Sequence, residues 1–442
     1  MTRMVQCIIF SACALAACAG DAPQASSDGL LGDTIHVASP SGEEALDRAS
    51  ILDALQRADS GDTVLFAPGL YRLGPMIRVD ADDVTLQGHP EGTVLRGCDP
   101  ERFTGDPTID GFRCHGIELA GARQTVRDLT IEYAWHGIYV GCCFPSNMEE
   151  FESGATEMWD QAGGHRIENN TFRYSPNGLR VIGEHAAPVL VEGNTFVDVY
   201  HAIGINGGPV HFVDNDLRVE RPHLVPVTHH PGDAINVLPF SGRAYDRDDH
   251  TSCRGNVIRD NRIEGYPEAI AIQVWTDRES CRGNEIVGNL IVAARTPYTR
   301  PEMLNIVEPA DSTFSGVPIR LLNLAEGDPD ALSQNLVEGN RIVDAYGVAI
   351  TLLGSARNRV VDNVIVDVRA RRPFPGNTIS PEADWAHANG SAIWVSDGSP
   401  GNVVRGNRFE GIEGFWLVLE GDSTEVDPMI PEGRVLVRDP RD

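Results

Sequence analysis

The chain contains no lysine. All 36 of its basic residues are arginine, set against 64 aspartates and glutamates. No lysine is therefore available as a base, a Schiff-base amine or a clamp for a carboxylate. The formal net charge is −28, so the surface repels nucleic acid and anionic bilayers, and neither is an expected partner. Long apolar runs are also scarce. The one that stands out, Val5 to Ala17 behind Arg3, has the length of an export signal and is too short to span a bilayer. No other segment reads as a membrane span.

What is abundant is repetition. One phrase is Gly-Asn, any residue, then an apolar residue: Gly193-Asn194-Thr195-Phe196, Gly255-Asn256-Val257-Ile258, Gly283-Asn284-Glu285-Ile286, Gly339-Asn340-Arg341-Ile342 and Gly406-Asn407-Arg408-Phe409. An Asn five residues away often doubles it, as in Asn256/Asn261, Asn284/Asn289, Asn335/Asn340, Asn358/Asn363 and Asn402/Asn407. A second phrase is a small residue followed by apolar-x-apolar, as in Gly137-Ile138-Tyr139-Val140, Ala234-Ile235-Asn236-Val237 and Ala392-Ile393-Trp394-Val395. Alternation within the phrase predicts short strands with one buried face. Ile117 to Ile138 is 21 residues, Leu179 to Ile203 is 24 and Ile203 to Ile235 is 32. This is the pattern of coils of about 22 residues that carry loop insertions. A propeller needs four strands per blade and a leucine-rich solenoid needs a dense Leu frame, and neither pattern is present. The expected fold is all-β: a single right-handed parallel β-helix of about ten coils, with rungs about 4.8 Å apart. Recurrent Asn suits the turns, where it tolerates left-handed backbone and can stack as an amide ladder.

An exposed solenoid end needs a cap. Residues 43–58 predict an amphipathic capping helix with Leu46, Ala49, Leu52 and Leu55 on its buried face, begun by a Ser41/Glu44 capping box. The stretch from Ala54 through Gly61-Asp62-Thr63-Val64-Leu65-Phe66 and Pro68-Gly69-Leu70-Tyr71 to Val84-Thr85-Leu86-Gln87-Gly88 resembles the opening of the pectate-lyase-like superfamily. The later Asn repeats resemble its coils. The resemblance covers most of residues 35–420 and implies the fold, while leaving lyases, epimerases, hydrolases and non-enzymes open. Leu15-Ala16-Ala17-Cys18 resembles a bacterial lipobox. That likeness implies removal of residues 1–17, lipidation of Cys18 and, with Ala19 next, anchoring to the outer membrane; plain secretion is the alternative. Residues 18–33 then form a tether, 34–430 the β-helix domain and 431–442 a tail. The mature chain is expected to be a monomer.

Of nine cysteines, export removes Cys7 and Cys13 and lipidation uses Cys18. Six remain, which in an exported protein suggests disulfides. Ser252-Cys253-Arg254-Gly255-Asn256 and Ser280-Cys281-Arg282-Gly283-Asn284 repeat one phrase in consecutive coils. Stacked rungs bring equivalent Cα atoms within disulfide range, so Cys253–Cys281 is the predicted pair. The pairing of Cys98, Cys114, Cys142 and Cys143 stays open.

Long insertions flank one strand column on both edges: 218–232, 293–316 and 369–390 before it, 141–164, 239–252 and 323–334 after it. They make a groove over that column, and loops of this length are usually functional. Alternation turns outward Glu118, Tyr139, Arg180, Gly204, Asn236, Ala271, Arg320, Thr351 and Trp394, with Asn206 and Gln273 one pleat further. Just before each strand stand His115, His136, Asn177, His201, Asp233 and Glu268. Three readings of the dense segment 223–250 compete: Asp233 with His229 or His230 as acid–base groups, a metal site with Ca²⁺ at Asp246, Asp248 and Asp249, or solvated loop residues. The expected partner is a polysaccharide. A lyase or uronate epimerase would neutralise the substrate carboxylate with Arg180, Arg320, Asn236 and Gln273 and take a proton with His201, His230 or Tyr139. A glycoside hydrolase would use Asp233 and Glu268, neighbours in consecutive coils. A non-catalytic glycan-binding or envelope scaffold is the third class. Six tryptophans, among them Trp275 and Trp394, are candidate sugar platforms.

Overall fold

The computed structural model describes residues 32–103, 113–141, 160–221, 233–239, 251–266, 268–293, 317–325, 327–370, 386–421 and 423–438. Its strands pair in parallel throughout the ladders and build a right-handed parallel β-helix. Two faces of the coil are joined in one 24-stranded sheet, and the third face is an 11-stranded sheet. The joining is covalent: Asn177–Glu192 and His201–Val213 are long strands that bend round a corner and pair on both faces. Every third-face strand contributes one inward apolar residue to a column that runs Tyr71, Leu95, Ile131, Phe172, Phe196, Leu217, Ile263, Ile291, Ile342, Ile365 and Phe409. Phe172 and Phe196 stack within it at 4.7 Å.

The Gly-Asn phrase divides its labour in a way the sequence reading did not foresee. In nearly every instance the first residue of the pair, not the Asn, takes the left-handed backbone: Gly193, Asp214, Asp260, Gly339 and Asp362 all have φ between 54° and 66°. The Asn that follows is buried and forms the ladder. Asn170, Asn194, Asn215, Asn261, Asn289, Asn340, Asn363 and Asn407 make one ladder, and Asn256, Asn284, Asn335, Asn358 and Asn402 a second. At each step of the first ladder the backbone N–H and the Nδ2 of one Asn both donate to the Oδ1 of the next. For Asn289 to Asn340 these distances are 3.0 and 2.9 Å. The same phrase thus serves two corners: Asn194, Asn340 and Asn407 stand in one ladder, Asn256 and Asn284 in the other.

The capping helix spans Glu44–Arg57, but its buried face is Asp47, Ile51 and Ala54, while Leu46 and Leu52 are 60% and 40% exposed. The reason is the carboxylate of Asp47. It accepts from Ser41 N and Oγ at 2.6 and 2.7 Å and from the backbone N–H of Arg72 at 3.1 Å. It satisfies donors at the open end of the coil, so the helix rolls its charged residue inward and its leucines outward. The capping box is absent as well, since the N-cap is Glu43 without a side-chain hydrogen bond. At the other end Val435–Arg438, within the segment read as a tail, pairs with Leu417–Glu420.

The Cys253–Cys281 disulfide is formed, with Cα atoms 4.5 Å apart on adjacent rungs. A second joins Cys98 to Cys114, Cα atoms 5.1 Å apart. Cys142, Cys143 and Cys18 lie outside the described residues.

Two predictions follow from buried polar groups. Asn340→Ala deletes one rung of the ladder and strands its neighbours' donors and acceptors, so the urea midpoint falls by the equivalent of about 2–3 kcal/mol; an unchanged midpoint would remove the ladder as a stabilising element. His165 and His185 are buried with rings 6.4 Å apart. Burial pushes both imidazoles down to about 4, the neighbouring His165 adding to the effect on His185. The unfolded chain therefore takes up protons at a pH where the folded one refuses them. Their contribution is fully present above about pH 6.5 and is lost as pH falls towards 4, on the order of 3 kcal/mol for each. Urea midpoints measured from pH 8 to 4 should fall over that window, and less steeply in His165→Gln/His185→Gln.

Candidate active site

The outward row stacks as alternation requires. Backbone register places Arg78 against Glu118, then Tyr139, Arg180, Gly204, Asn236, Ala271, Arg320, Thr351, Trp394 and Val418 on successive rungs. Asn177 pairs with His136 on one side and His201 on the other, and Asp233 pairs with Glu268. Residues as far apart in the chain as Arg78 and Val418 are thereby gathered on one face.

The centre of this face is an acidic pair. Asp233 and Glu268 are buried, at 6% and 1% exposure. Glu268 hydrogen-bonds Asp233 and is ion-paired to the Arg320 guanidinium from the next rung. Asn236 Nδ2 donates to Asp233 Oδ2 at 2.9 Å, and Gln273 Nε2 approaches the same oxygen at 3.4 Å. Two carboxyl groups in direct hydrogen bond must share a proton. Burial, above all, and then the adjacent Asp233 hold Glu268 well above the usual carboxylate range, against the opposing pull of Arg320. The pair therefore retains a proton where two solvated carboxylates would have lost it.

A second cluster lies toward the N-terminal end of the row. The rings of His115 and His136 stack at 5.5 Å, and His136 meets Tyr139 edge-on at 5.6 Å. Burial, then His115 and Arg180, pushes the His136 imidazole well below its usual range, so it is neutral at pH 7. Burial raises the Tyr139 phenol, Arg180 partly offsetting and Glu118 adding to the rise. The half-buried Arg180 guanidinium lies across Gly204, where an added Cβ would sit 2.6 Å from Nη1. Glycine at this rung is what lets the arginine lie flat on the groove floor. Burial lowers the Arg180 pKa, and its opposing neighbour is the Tyr139 hydroxyl rather than a carboxylate. Glu118 is instead paired with Arg78 at 3.6 Å.

The remaining expected residues divide. His201 is turned by a 2.8 Å hydrogen bond from Nδ1 to the Asp233 carbonyl, a positioning contact beside the acidic pair. Asn206 and Asn236 each carry a buried Oδ1 without a hydrogen-bond partner among the described residues. Trp394 is 5% exposed and packs with Leu322, Val348, Leu353, Ala388 and Val418 in a separate apolar cluster. It fills the C-terminal end of the row instead of presenting a face to a sugar. His229, His230, Asp246, Asp248, Asp249 and His250 lie outside the described residues, and with them the expected Ca²⁺ position. Among the described residues no three His, Cys, Asp or Glu side chains form a metal-binding group, and no helix is long and apolar enough to cross a membrane. Sequence reasoning gave His136 no catalytic weight. Its signal was its place in the pre-strand row, three residues before Tyr139 and one rung from Asn177.

No family model and no curated protein sequence matches this chain. Solved structures with the same kind of fold do. The catalytic unit of the GH87 α-1,3-glucanase from Streptomyces thermodiastaticus strain HF3-3 is 15% identical, with 92% of this chain and 68% of that one covered and a TM-score of 0.44. A DFA-IIIase variant from Arthrobacter chlorophenolicus A6 is 13% identical over 92% and 99% of the chains, with a TM-score of 0.49. The A-module of the mannuronan C-5 epimerase AlgE6 from Azotobacter vinelandii is 14% identical over 90% and 95%, with a TM-score of 0.41.

Proposed function

We propose that this chain is an exported enzyme that acts on a uronate-containing polysaccharide, as a lyase or C5-epimerase, in the groove over the Glu118–Trp394 row. The observation that carries the reading is Arg180: a half-buried guanidinium whose neighbours among the described residues are neutral. A cation partly removed from water without a carboxylate beside it gains when an anion meets it. A substrate carboxylate supplies that anion, and its pairing with Arg180 acidifies the adjacent C5–H. Neutral His136 is in the form that accepts the C5 proton. In elimination the C5–H pair becomes the C4–C5 double bond, the C4–O bond breaks, and the protonated Tyr139 phenol gives its proton to the leaving oxygen. In epimerisation a proton returns to the opposite face of C5 with no bond to C4 broken. Asn206 and Asn236 offer acceptors to sugar hydroxyls. The missing lysine leaves arginine to do the neutralising. The net charge of −28 is compatible with an acidic substrate because Arg180 and Arg320 set the local field.

A second reading has its own observation. Glu268 keeps its proton beside Asp233, as the acid of a glycoside hydrolase must. Against it, a direct hydrogen bond holds the two carboxyls closer than the roughly 5–10 Å that glycosidase pairs require. Binding without turnover is the third outcome.

A panel of acidic and neutral polysaccharides, followed by ultraviolet absorbance of the unsaturated product, by reducing ends and by solvent-deuterium incorporation at C5, separates the classes. We expect activity on a polyuronate. Arg180→Ala should cost about 10²–10³-fold in kcat/KM, and Gly204→Ala should mimic it by displacing the guanidinium. Full activity of both variants would sink the reading. Reducing ends without unsaturation, abolished by Asp233→Asn and Glu268→Gln, would establish the hydrolase instead.

The lipobox resemblance supports anchoring through Cys18 to the cell envelope. The wild-type chain should partition into the detergent phase and Cys18→Ser into the aqueous phase; equal partitioning would exclude the anchor.

A further inference from the structure

Among the described residues Trp275 is the exposed tryptophan, and it follows a strand of the acidic pair. At 51% exposure it contrasts with Trp394, which is buried in its own cluster. It follows the strand Glu268–Val274, and alternation along that strand turns Ala271, Gln273 and Trp275 to the same outward side. Gln273 is the residue that approaches Asp233 Oδ2, so the indole stands two residues, about 6.6 Å, further along the strand from a side chain of the acidic centre. The next rung brings Leu324 alongside, through its backbone N–H to Val274 O at 2.8 Å, and Leu324 is 47% exposed. Of the large hydrophobic side chains exposed among the described residues, these two lie on adjacent rungs at the edge of the groove.

The exposed ring is also held in place. The buried Glu279 carboxylate accepts from the backbone N–H of Trp275 at 2.7 Å and of Thr276 at 3.2 Å. Glu279 itself sits in the strand Glu279–Arg282, which Cys281 ties to Cys253. On the next rung Asn323 is fixed by Nδ2 hydrogen bonds to the carbonyls of Asp328 and Gly354, both at 2.8 Å. A rigid turn that presents an indole to solvent loses little entropy when a ligand covers it.

We propose that Trp275, with Leu324 beside it, is a sugar-stacking subsite beside the acidic pair, three rungs along the groove from Arg180, and that it takes a pyranose ring of the polymer some residues away from the one being processed. This rests on the polysaccharide reading above. The occupant is a pyranose because it offers an apolar C–H face for the indole and hydroxyls for Gln273 on the same strand and Asn236 on the rung before. An aromatic protein segment would cover the indole but bring no row of hydroxyls to those amides.

The test is intrinsic tryptophan fluorescence and calorimetric titration of the full chain with tetrasaccharides of uronates and of neutral hexoses, together with steady-state kinetics on the polymer. Saturable quenching by a tetrasaccharide is expected. Trp275→Ala should lose most of that quenching, weaken binding about tenfold and raise KM while leaving kcat within a factor of about two; Trp275→Phe should restore much of the affinity. Met429→Ala, at a distant exposed side chain, should match wild type. Unchanged affinity and quenching in Trp275→Ala, with the wild type binding, would overturn the subsite alone. A loss of kcat equal to the loss of kcat/KM would overturn it in favour of a structural role for the indole. No binding of any tetrasaccharide by the wild type would overturn the polysaccharide reading itself.

Discussion

Adjacent rungs of this molecule are bonded to one another through the backbone ladders and through asparagines that hand one Oδ1 to two donors of the rung before. That repeated step of about 4.8 Å is the constraint from which the other features follow. It places Cys253 over Cys281 and Asp233 over Glu268. It also lays Arg180 over Gly204 and Ala271 below Arg320. A slip of one residue on any rung would turn an apolar core residue outward and a polar one inward. The ladder amides oppose that slip because their partners exist in one register only.

The same stacking concentrates charge on a single face. Charges that are far apart in the chain become neighbours in a row where burial raises the cost of each. The row settles this locally: Glu118 with Arg78, Glu268 with Arg320, and Asp233 with two amides and the Glu268 carboxyl. Among the described residues Arg180 is left beside neutral partners. Buried polar groups that are only partly matched are uncommon in a solenoid wall, and they cluster where a ligand completes them. Asp233 lies two rungs and Glu268 three rungs from Arg180 in the row.

How much of this could be read from the chain varied with the kind of interaction. The outward row was legible residue by residue, because period-two alternation in strands buried on one side leaves no freedom in which side chains face out. Cys253–Cys281 was legible because two identical phrases in adjacent coils must stack. The capping helix was misread where it matters. Its leucines suggested a buried stripe, but the coil end beneath it presents unsatisfied donors, and Asp47 answers those donors while Leu46 and Leu52 face water. Amphipathic patterning assumes an apolar surface to pack on, and the end of a solenoid is partly polar. Trp394 was read as a platform from its outward position. It is buried by a second cluster on the outside of the coil, which no periodicity within its own strand announces. The weight of His136 was missed for a similar reason: its neutrality comes from burial and from His115 and Arg180, contributed by other rungs.

By itself the sequence determined the repeat, the inward and outward sides of each strand and therefore the fold, because those depend on the order of residues within a few positions. It also determined the chemistry available, with arginine the sole strong cation. Only the tertiary structure decided which charges compensate each other, which tryptophan stays exposed and which carboxyl keeps its proton. Those outcomes depend on burial and on distances between rungs whose separation along the chain varies with every loop, so no local pattern encodes them.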